Sequence, residues 1–511
     1  MSDTTVKKKR NYIDVFLNIL EKGGNALPHP ATLFAICALI IPILSTIGSW
    51  LGWHAIHPAT GEVINTVNLL SKEGLARIIN EMVKNFTDFA PLGIVLVAML
   101  GIGIAETSGL IGAVIRIVVL KSPKKIITFV VVFTGVMSNV ASDIGYVLLI
   151  PLAGIIFQAV GRHPIVGMAA AFAGVSGGFS ANLLIGTIDP LLAGLSEEAA
   201  HILDPNYHVN PTANYYFMAI STFLIAFLGT WVTEKIVQPR FGKYEGDVQQ
   251  EKLEHLSPIE RKGLKWASVV CLAWVAIILV GILPTNGILR GADGTILSSP
   301  FIKGIITFLF LMAASAGIAY GAVLGKFKND TDVANGMANS LKTLASYIVL
   351  VFFAAQFVAY FKWSNLGIIM AVKGAESLIA ANLGLIPLMI MFIIFAAIVN
   401  LLMGSASAKW ALLAPVFIPI FMLMGYSPEL SQAVYRVGDS ITNIISPMMS
   451  YFALIIAFFQ KYEKNAGLGT IIATMIPYTV VFFIGWSLML ILWVIIGLPL
   501  GPGVDMYYQL P

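Results

Sequence analysis

The run from 126 to 160 reads IITFVVVFTGVMSNVASDIGYVLLIPLAGIIFQAV, and the run from 384 to 424 reads GLIPLMIMFIIFAAIVNLLMGSASAKWALLAPVFIPIFMLM. Both exceed the roughly 20 apolar residues that one membrane-spanning helix needs. Each is interrupted by a short polar stretch: Ser138-Asn139-Val140-Ala141-Ser142-Asp143 in the first, Gly404-Ser405-Ala406-Ser407-Ala408-Lys409-Trp410 in the second. Irregular backbone at membrane depth is tolerated only where it is buried in protein or lines a cavity. These two runs therefore predict hairpins whose polar tips meet inside a membrane protein.

The rest of the 511-residue chain fits that solvent: 58% of it is hydrophobic and 11% charged, against about 25% charged in a soluble domain. Other apolar segments are read as spans at 31–53, 89–118, 165–195, 213–234, 266–284, 301–324, 343–361, 431–459 and 468–497. The N-terminus lacks the apolar core and small-residue cleavage site of a signal peptide. Cys37 and Cys271 both lie in apolar stretches, so a disulfide framework is not expected, and no Cys/His cluster suggests a metal centre.

Basic residues orient the chain. Lys7, Lys8, Lys9 and Arg10 place the N-terminus in the cytoplasm, Lys121, Lys124 and Lys125 mark a second cytoplasmic loop, and the stretch 197–214, without Lys or Arg, is outside. Between Lys125 and Glu197 the chain crosses an odd number of times, yet two apolar segments lie there, so 126–160 enters and leaves on one side. The same parity, with Lys362 outside and Lys461 inside, makes 384–424 a hairpin entering from the other side, although Lys362 and Lys373 are themselves basic. The expected fold is an all-α polytopic membrane protein with about nine transmembrane helices plus two re-entrant hairpins. Its expected parts are a cytoplasmic segment 1–30, a first half 31–234, a basic cytoplasmic linker 235–265, a second half 266–499 and a tail 500–511 outside.

The halves repeat. Tyr146, Pro151, Gly161, Pro164 and Gly174 stand at one constant offset from Trp410, Pro415, Gly425, Pro428 and Gly438. After each hairpin comes a long span read as broken midway, at 174–182 in the first half and 438–443 in the second. Two such units in opposite orientation are the pattern of secondary transporters that bind at the midplane. Chance matching of Gly and Pro in an apolar chain is the competing explanation.

Ionisable residues at membrane depth are costly and mark function or partners. Six qualify: Glu106, Asp143, Asp189, Lys409, Arg436 and Asp439. Arg436 and Asp439 are three apart and share a helix face, which suits either a structural ion pair or a division of labour. In the second case Arg436 grips a substrate carboxylate bidentately and Asp439 handles a cation or proton. Asn139, Ser142, Asn182, Ser405, Ser407, Asp439 and Asn443 offer hard oxygen ligands suited to Na⁺, or simply cap half-helices. Asp189, before Pro190, is a cap or a proton carrier, and Trp410 is a packing residue or a stacking surface for an aromatic substrate. Asp143 suits a half-helix cap, and Glu106 a buried neutral carboxyl. No G-x-x-x-x-G-K-[ST] is present, which argues against ATP hydrolysis. Gly174-Val175-Ser176-Gly177-Gly178 matches the serine-hydrolase elbow, but all seven histidines fall in loops or near segment ends, so no base accompanies it. A passive anion channel is the stronger rival to a carrier.

Taken together, Gly24-Asn25-Ala26-Leu27-Pro28-His29-Pro30, Ser138-Asn139 with Asp143, Phe179-Ser180-Ala181-Asn182-Leu183, Gly186-Thr187-Ile188-Asp189-Pro190, Gly404-Ser405-Ala406-Ser407-Ala408-Lys409-Trp410 and Tyr435-Arg436-Val437-Gly438-Asp439-Ser440 with Asn443 and Pro447 resemble the AbgT family over essentially the whole chain. The resemblance implies a homodimer in a bacterial inner membrane and transport of p-aminobenzoyl-glutamate or related aromatic carboxylates. Export of sulfonamide-type antimetabolites is the alternative it carries. It implies functional roles for Asp189, Asn400, Trp410, Arg436, Asp439, Asn443 and Pro447, with Na⁺ near Asp439 and Asn443, or H⁺, as coupling ion. The expected partners are the small substrate, membrane lipid and a second copy; neither a cofactor nor nucleic acid is expected.

Overall fold

The computed structural model describes residues 28–56, 61–140, 144–242, 244, 246, 256–292, 294–295, 299–381, 383–449 and 451–509. Among the described residues the regular structure is helical, apart from one antiparallel hairpin, β1 (His54–Ile56) and β2 (Val63–Asn65), with Ala55 opposite Ile64. The helices of the first half are α1 (Pro30–Trp50), α2 (Lys72–Thr87), α3 (Ala90–Ser108), α4 (Leu110–Leu120), α5 (Ile127–Ser138), α6 (Ile150–Ala159), α7 (Pro164–Phe172), α8 (Ile188–Ala200) and α9 (Tyr215–Val232). Then follow α10 (Pro258–Ile282), α11 (Ile305–Val323), α12 (Asp330–Thr343), α13 (Ala345–Trp363), α14 (Leu366–Ala380), α15 (Leu385–Leu402), α16 (Ala406–Leu423), α17 (Pro428–Asn443), α18 (Phe452–Tyr462) and α19 (Leu468–Ile496).

They sort into two groups. Helices α1–α4 and α10–α13 pack mainly on one another, through α3 against α11 and α12, α1 against α13, and α10 against α11. Helices α5–α9 and α14–α19 form the second group, which holds most of the fully buried side chains, and α8 joins the groups by packing on both α3 and α16. Leu39, Trp50, Leu272, Val280, Phe227 and Leu492 are exposed on the outside of the bundle, as expected where the surrounding medium is lipid.

Element ends in the second group follow the offset seen in the sequence. The offset that carries Pro164 to Pro428, where α7 and α17 begin, also carries the start of α8 to that of α18 and the ends of α6 and α9 to those of α16 and α19. The residues before the two prolines, His163 and Ser427, both cap their helix with a side chain that accepts a backbone N–H. Gly161 and Gly425 both adopt left-handed backbone, at φ 80° and 84°, which a residue without Cβ takes without strain and which ends a helix.

Three details correct the sequence reading. The span read at 89–118 is two helices, parted at Gly109 with φ 87°. The break read at 174–182 opens only at Gly178, because α7 continues as a wide turn through Gly177, and it runs on to the start of α8, whereas the break read at 438–443 lies beyond that range, because α17 runs unbroken to Asn443. Gly174 and Gly438 serve instead as contact points. A Cβ on Gly174 would stand 2.2 Å from the carbonyl oxygen of Val132, and one on Gly438 2.6 Å from that of Ile393. Nine helices among the described residues are long and apolar enough to cross a membrane, but α15 and α16, the arms of the second run, are among them, whereas 165–195 and 431–459 are not. The latter are broken, and α17 is studded with polar side chains.

Candidate site at the meeting of the breaks

Four stretches of non-helical backbone converge inside the second group: the ends of the breaks after α5, α7, α15 and α17. A Cβ on Gly186 would lie 3.0 Å from the carbonyl oxygen of Asn139, and one on Gly404 would lie 2.2 Å from that of Met448. Tyr146 and Tyr451 stack face to face at 4.7 Å, bridging the two halves. Asn139 donates from its amide to the carbonyls of Val136 at 3.1 Å and Gly178 at 3.5 Å, tying the first tip to the turn after α7.

Two buried ion pairs sit at this junction. Arg436, on α17, donates through one terminal nitrogen to Asp189 Oδ1 at 2.6 Å and to the Ser180 carbonyl at 2.8 Å. Asp189, in the first turn of α8, also accepts the backbone N–H of Gly186 at 2.7 Å. Among the described residues Arg436 Nε is buried without a hydrogen-bond partner. In the second pair Lys409, in the first turn of α16, places Nζ 2.5 Å from Asp439 Oδ1 and also donates to Asn400 Oδ1. Asn400 donates to the Asp439 carbonyl at 2.6 Å, to Thr442 at 2.9 Å and to Asn443 Oδ1 at 2.8 Å. Arg436 and Asp439, three residues apart on α17, are each paired across to another helix rather than with each other. Removing one member of such a buried pair strands a charge, which costs about 3–5 kcal/mol.

Trp410 lies fully buried between Tyr435, stacked at 4.5 Å, and Phe392 at 6.4 Å. Of the two roles open to it from the sequence, packing residue or stacking surface for a substrate, Trp410 takes the first here, its ring stacked on Tyr435. Its indole N–H donates to Ser196 at 2.9 Å, Ser196 donates to Gln432 at 2.6 Å, Gln432 to Asn214 at 2.8 Å, and Asn214 to the Glu429 carbonyl at 2.9 Å. Ser196→Ala breaks this chain at its centre and leaves two buried polar atoms unpaired. It should cost about 1–3 kcal/mol, read as a lower melting temperature of the purified protein.

The other expected residues are placed more simply. Ser405 caps α16 by accepting the N–H of Ala408, and Ser407 is 3.3 Å from it. Asn182 caps its own turn through the N–H of Leu184. Asn443 donates to the Ser176 carbonyl at 3.4 Å, and Pro447 is half-buried in the turn after α17. Glu106 is half-buried near the end of α3, not fully buried, and Ser142 and Asp143 lie outside the described residues. The oxygens of Asp439, Asn400 and Asn443 are a donor set that suits Na⁺. However, the Lys409 ammonium stands among them, so Na⁺ does not fit there beside it. Gln432 and Tyr435 were legible as part of a polar stripe with Arg436 and Asp439, three or four residues apart along one helix. Ser196 and Asn214 carry no such signal, because they reach the site from other elements.

A multi-pass bundle with charged pairs sealed at the junction of broken helices is the architecture of a membrane transporter. Comparison bears this out and narrows it: residues 15–508 match the model of the AbgT putative transporter family, and the chain belongs to that family. It is 39% identical over 486 residues to the p-aminobenzoyl-glutamate transport protein of Escherichia coli (strain K12), covering 95% of this chain and 96% of that one. Among solved structures it is similar to the Alcanivorax borkumensis YdaH transporter, at TM-score 0.89 and 46% identity over 93% of this chain and 100% of that one. It is also similar to Neisseria gonorrhoeae MtrF, described with a class of antimetabolite efflux pumps, at TM-score 0.91 and 51% identity over 96% of this chain and 100% of that one. These relatives are transport proteins or efflux pumps, not enzymes.

Proposed function

We propose that the chain is a cation-coupled secondary transporter that moves p-aminobenzoyl-glutamate or a related aromatic carboxylate across a bacterial inner membrane, as a homodimer with its N-terminus in the cytoplasm. The observation that carries this is the Asp189–Arg436 pair, an Arg held at the junction of the breaks by a single carboxylate oxygen, with Nε unpaired. A substrate carboxylate can take the place of Asp189 on the guanidinium fork and gain a second hydrogen bond there. Asp189, displaced, is then a buried carboxylate that needs a proton. Substrate and proton are taken up together, which is co-transport and favours uptake down an inward proton gradient. Tyr435 must leave the face of Trp410 before that ring can stack on the substrate.

In this reading 31–234 and 266–499 are inverted halves around the linker 235–265, flanked by the segment 1–30 and the tail 500–511, and 126–160 and 384–424 are re-entrant. The shared offset of helix ends supports the repeat. The length of α5 supports the hairpin: its 12 residues at 1.5 Å each reach about 18 Å, short of a hydrocarbon core of about 30 Å. Efflux of sulfonamide-type antimetabolites is the second reading, favoured by the 51% identity to MtrF.

Purified protein in sealed vesicles decides among these. Concentrative, gradient-driven accumulation of labelled p-aminobenzoyl-glutamate is expected, abolished by a protonophore. Equilibration without accumulation would mean a channel. Exchange of the compound against an opposing proton gradient would mean an efflux pump, and no flux above empty vesicles would end the proposal.

A further inference from the structure

We propose that Lys409 is the cation of the Asp439 site: its ammonium occupies the place a free alkali ion would take, so the chain carries this charge on a tether and does not draw Na⁺ there from solution. Lys409 is 0% exposed and Asp439 1%. The ammonium faces Asp439 Oδ1 at 2.5 Å and Asn400 Oδ1. These are the hard oxygens that would otherwise recommend the site for Na⁺. The remaining oxygens close by are engaged too. Asn443 Oδ1 and Thr442 Oγ1 accept from the Asn400 amide, and Ser446 donates to the Asn400 carbonyl at 3.0 Å. Among the described residues only the second oxygen of Asp439 is left buried without a partner in this cluster. A second monovalent cation at that oxygen would sit against the ammonium in a medium of low dielectric, where like charges repel strongly.

The three members come from three helices: Asn400 from α15, Lys409 from the first turn of α16 and Asp439 from α17. Lys409 follows the break after α15 directly, so any shift of that tip against α17 withdraws the charge from Asp439. The flexible stem of a lysine, unlike a free ion, returns to the same site after each such movement. This inference deepens the carrier reading above and rests on it only for the purpose the site serves.

The test uses purified full-length protein in detergent, with melting temperature followed against NaCl and, at matched ionic strength, KCl or choline chloride. The parent should show no Na⁺-specific shift. Lys409→Met, which removes the ammonium at similar volume, should gain a saturable Na⁺-specific rise, since a ligand that binds only the folded state stabilises it. Lys409→Met with Asp439→Asn should lose that rise. If Lys409→Met does not fold, Lys409→Gln takes its place. A saturable Na⁺-specific shift in the parent, or none in a folded Lys409 variant, overturns the proposal. Flux in vesicles is read separately. A parent that carries p-aminobenzoyl-glutamate but binds Na⁺ beside Lys409 loses this inference alone. A parent that carries nothing loses the carrier reading, whatever its response to Na⁺.

Discussion

Arg436→Ala is expected to bring transport down to the level of empty vesicles and to destabilise the folded protein by about 3–5 kcal/mol. Two effects combine. The substitution removes the guanidinium that the proposal assigns to the substrate, and it strands the Asp189 carboxylate, which is 8% exposed, with the N–H of Gly186 as its one remaining donor among the described residues. Arg436→Lys separates these effects. It keeps the charge beside Asp189, so the melting temperature should largely recover, but an ammonium has no planar fork, so transport should recover far less. Vesicle flux and thermal melts of the three proteins provide the check. Full transport by Arg436→Ala would remove Arg436 from the substrate path.

Gly438→Ala is expected to be nearly as damaging, although no charge is lost. Its Cβ would lie 2.6 Å from the Ile393 carbonyl oxygen and 2.8 Å from Ala396 Cβ, so α15 and α17 must part. Overpacking of this kind costs about 1–3 kcal/mol or more. Here it also pulls Asn400 away from Asp439, Thr442 and Asn443, because those hydrogen bonds cross the same interface. Gly93→Ala in α3, where a new Cβ meets nothing within 4 Å, is the control. It should be neutral or stabilising, since alanine is the better helix former by about 1 kcal/mol. Thermal melts that rank Gly438→Ala no lower than Gly93→Ala would deny the close approach.

Much of this architecture is legible in the sequence, for a simple reason. In lipid an apolar run must be a helix, and a polar interruption within one must find protein partners. The described parts of runs 126–160 and 384–424 obey both rules, and Asn139 and Gly404 do lie against the breaks of the following spans. The offset between halves was legible because Gly and Pro act locally: Gly161 and Gly425 end helices, and Pro164 and Pro428 begin them. The exact limits of the breaks were not. Gly174 and Gly438 look like interruptions in a string of letters, yet their small size serves close packing, which depends on a neighbour that the local sequence does not name.

The site was legible residue by residue but not pair by pair. Asp189, Lys409, Arg436 and Asp439 stand out because each is charged where charge is costly. Which of them meet is decided by how α8, α16 and α17 cross, and no spacing encodes that. For the same reason the sequence left Trp410 open between packing and stacking on a substrate, whereas its ring is stacked on Tyr435. The tethered ammonium of Lys409 was hidden most completely, because its partners lie on two other helices.

The central claim is that Asp189 and the substrate carboxylate compete for Arg436. Binding of p-aminobenzoyl-glutamate to purified Asp189→Asn and Arg436→Gln proteins, measured beside the parent, tests it most directly. Asp189→Asn, with the competitor neutralised and the fork free, should bind at least as tightly as the parent, whereas Arg436→Gln should bind about 100-fold more weakly, the loss of roughly 3 kcal/mol expected for a charge-assisted contact. Equal binding by Arg436→Gln and the parent, or a loss in Asp189→Asn as large as that in Arg436→Gln, would contradict it.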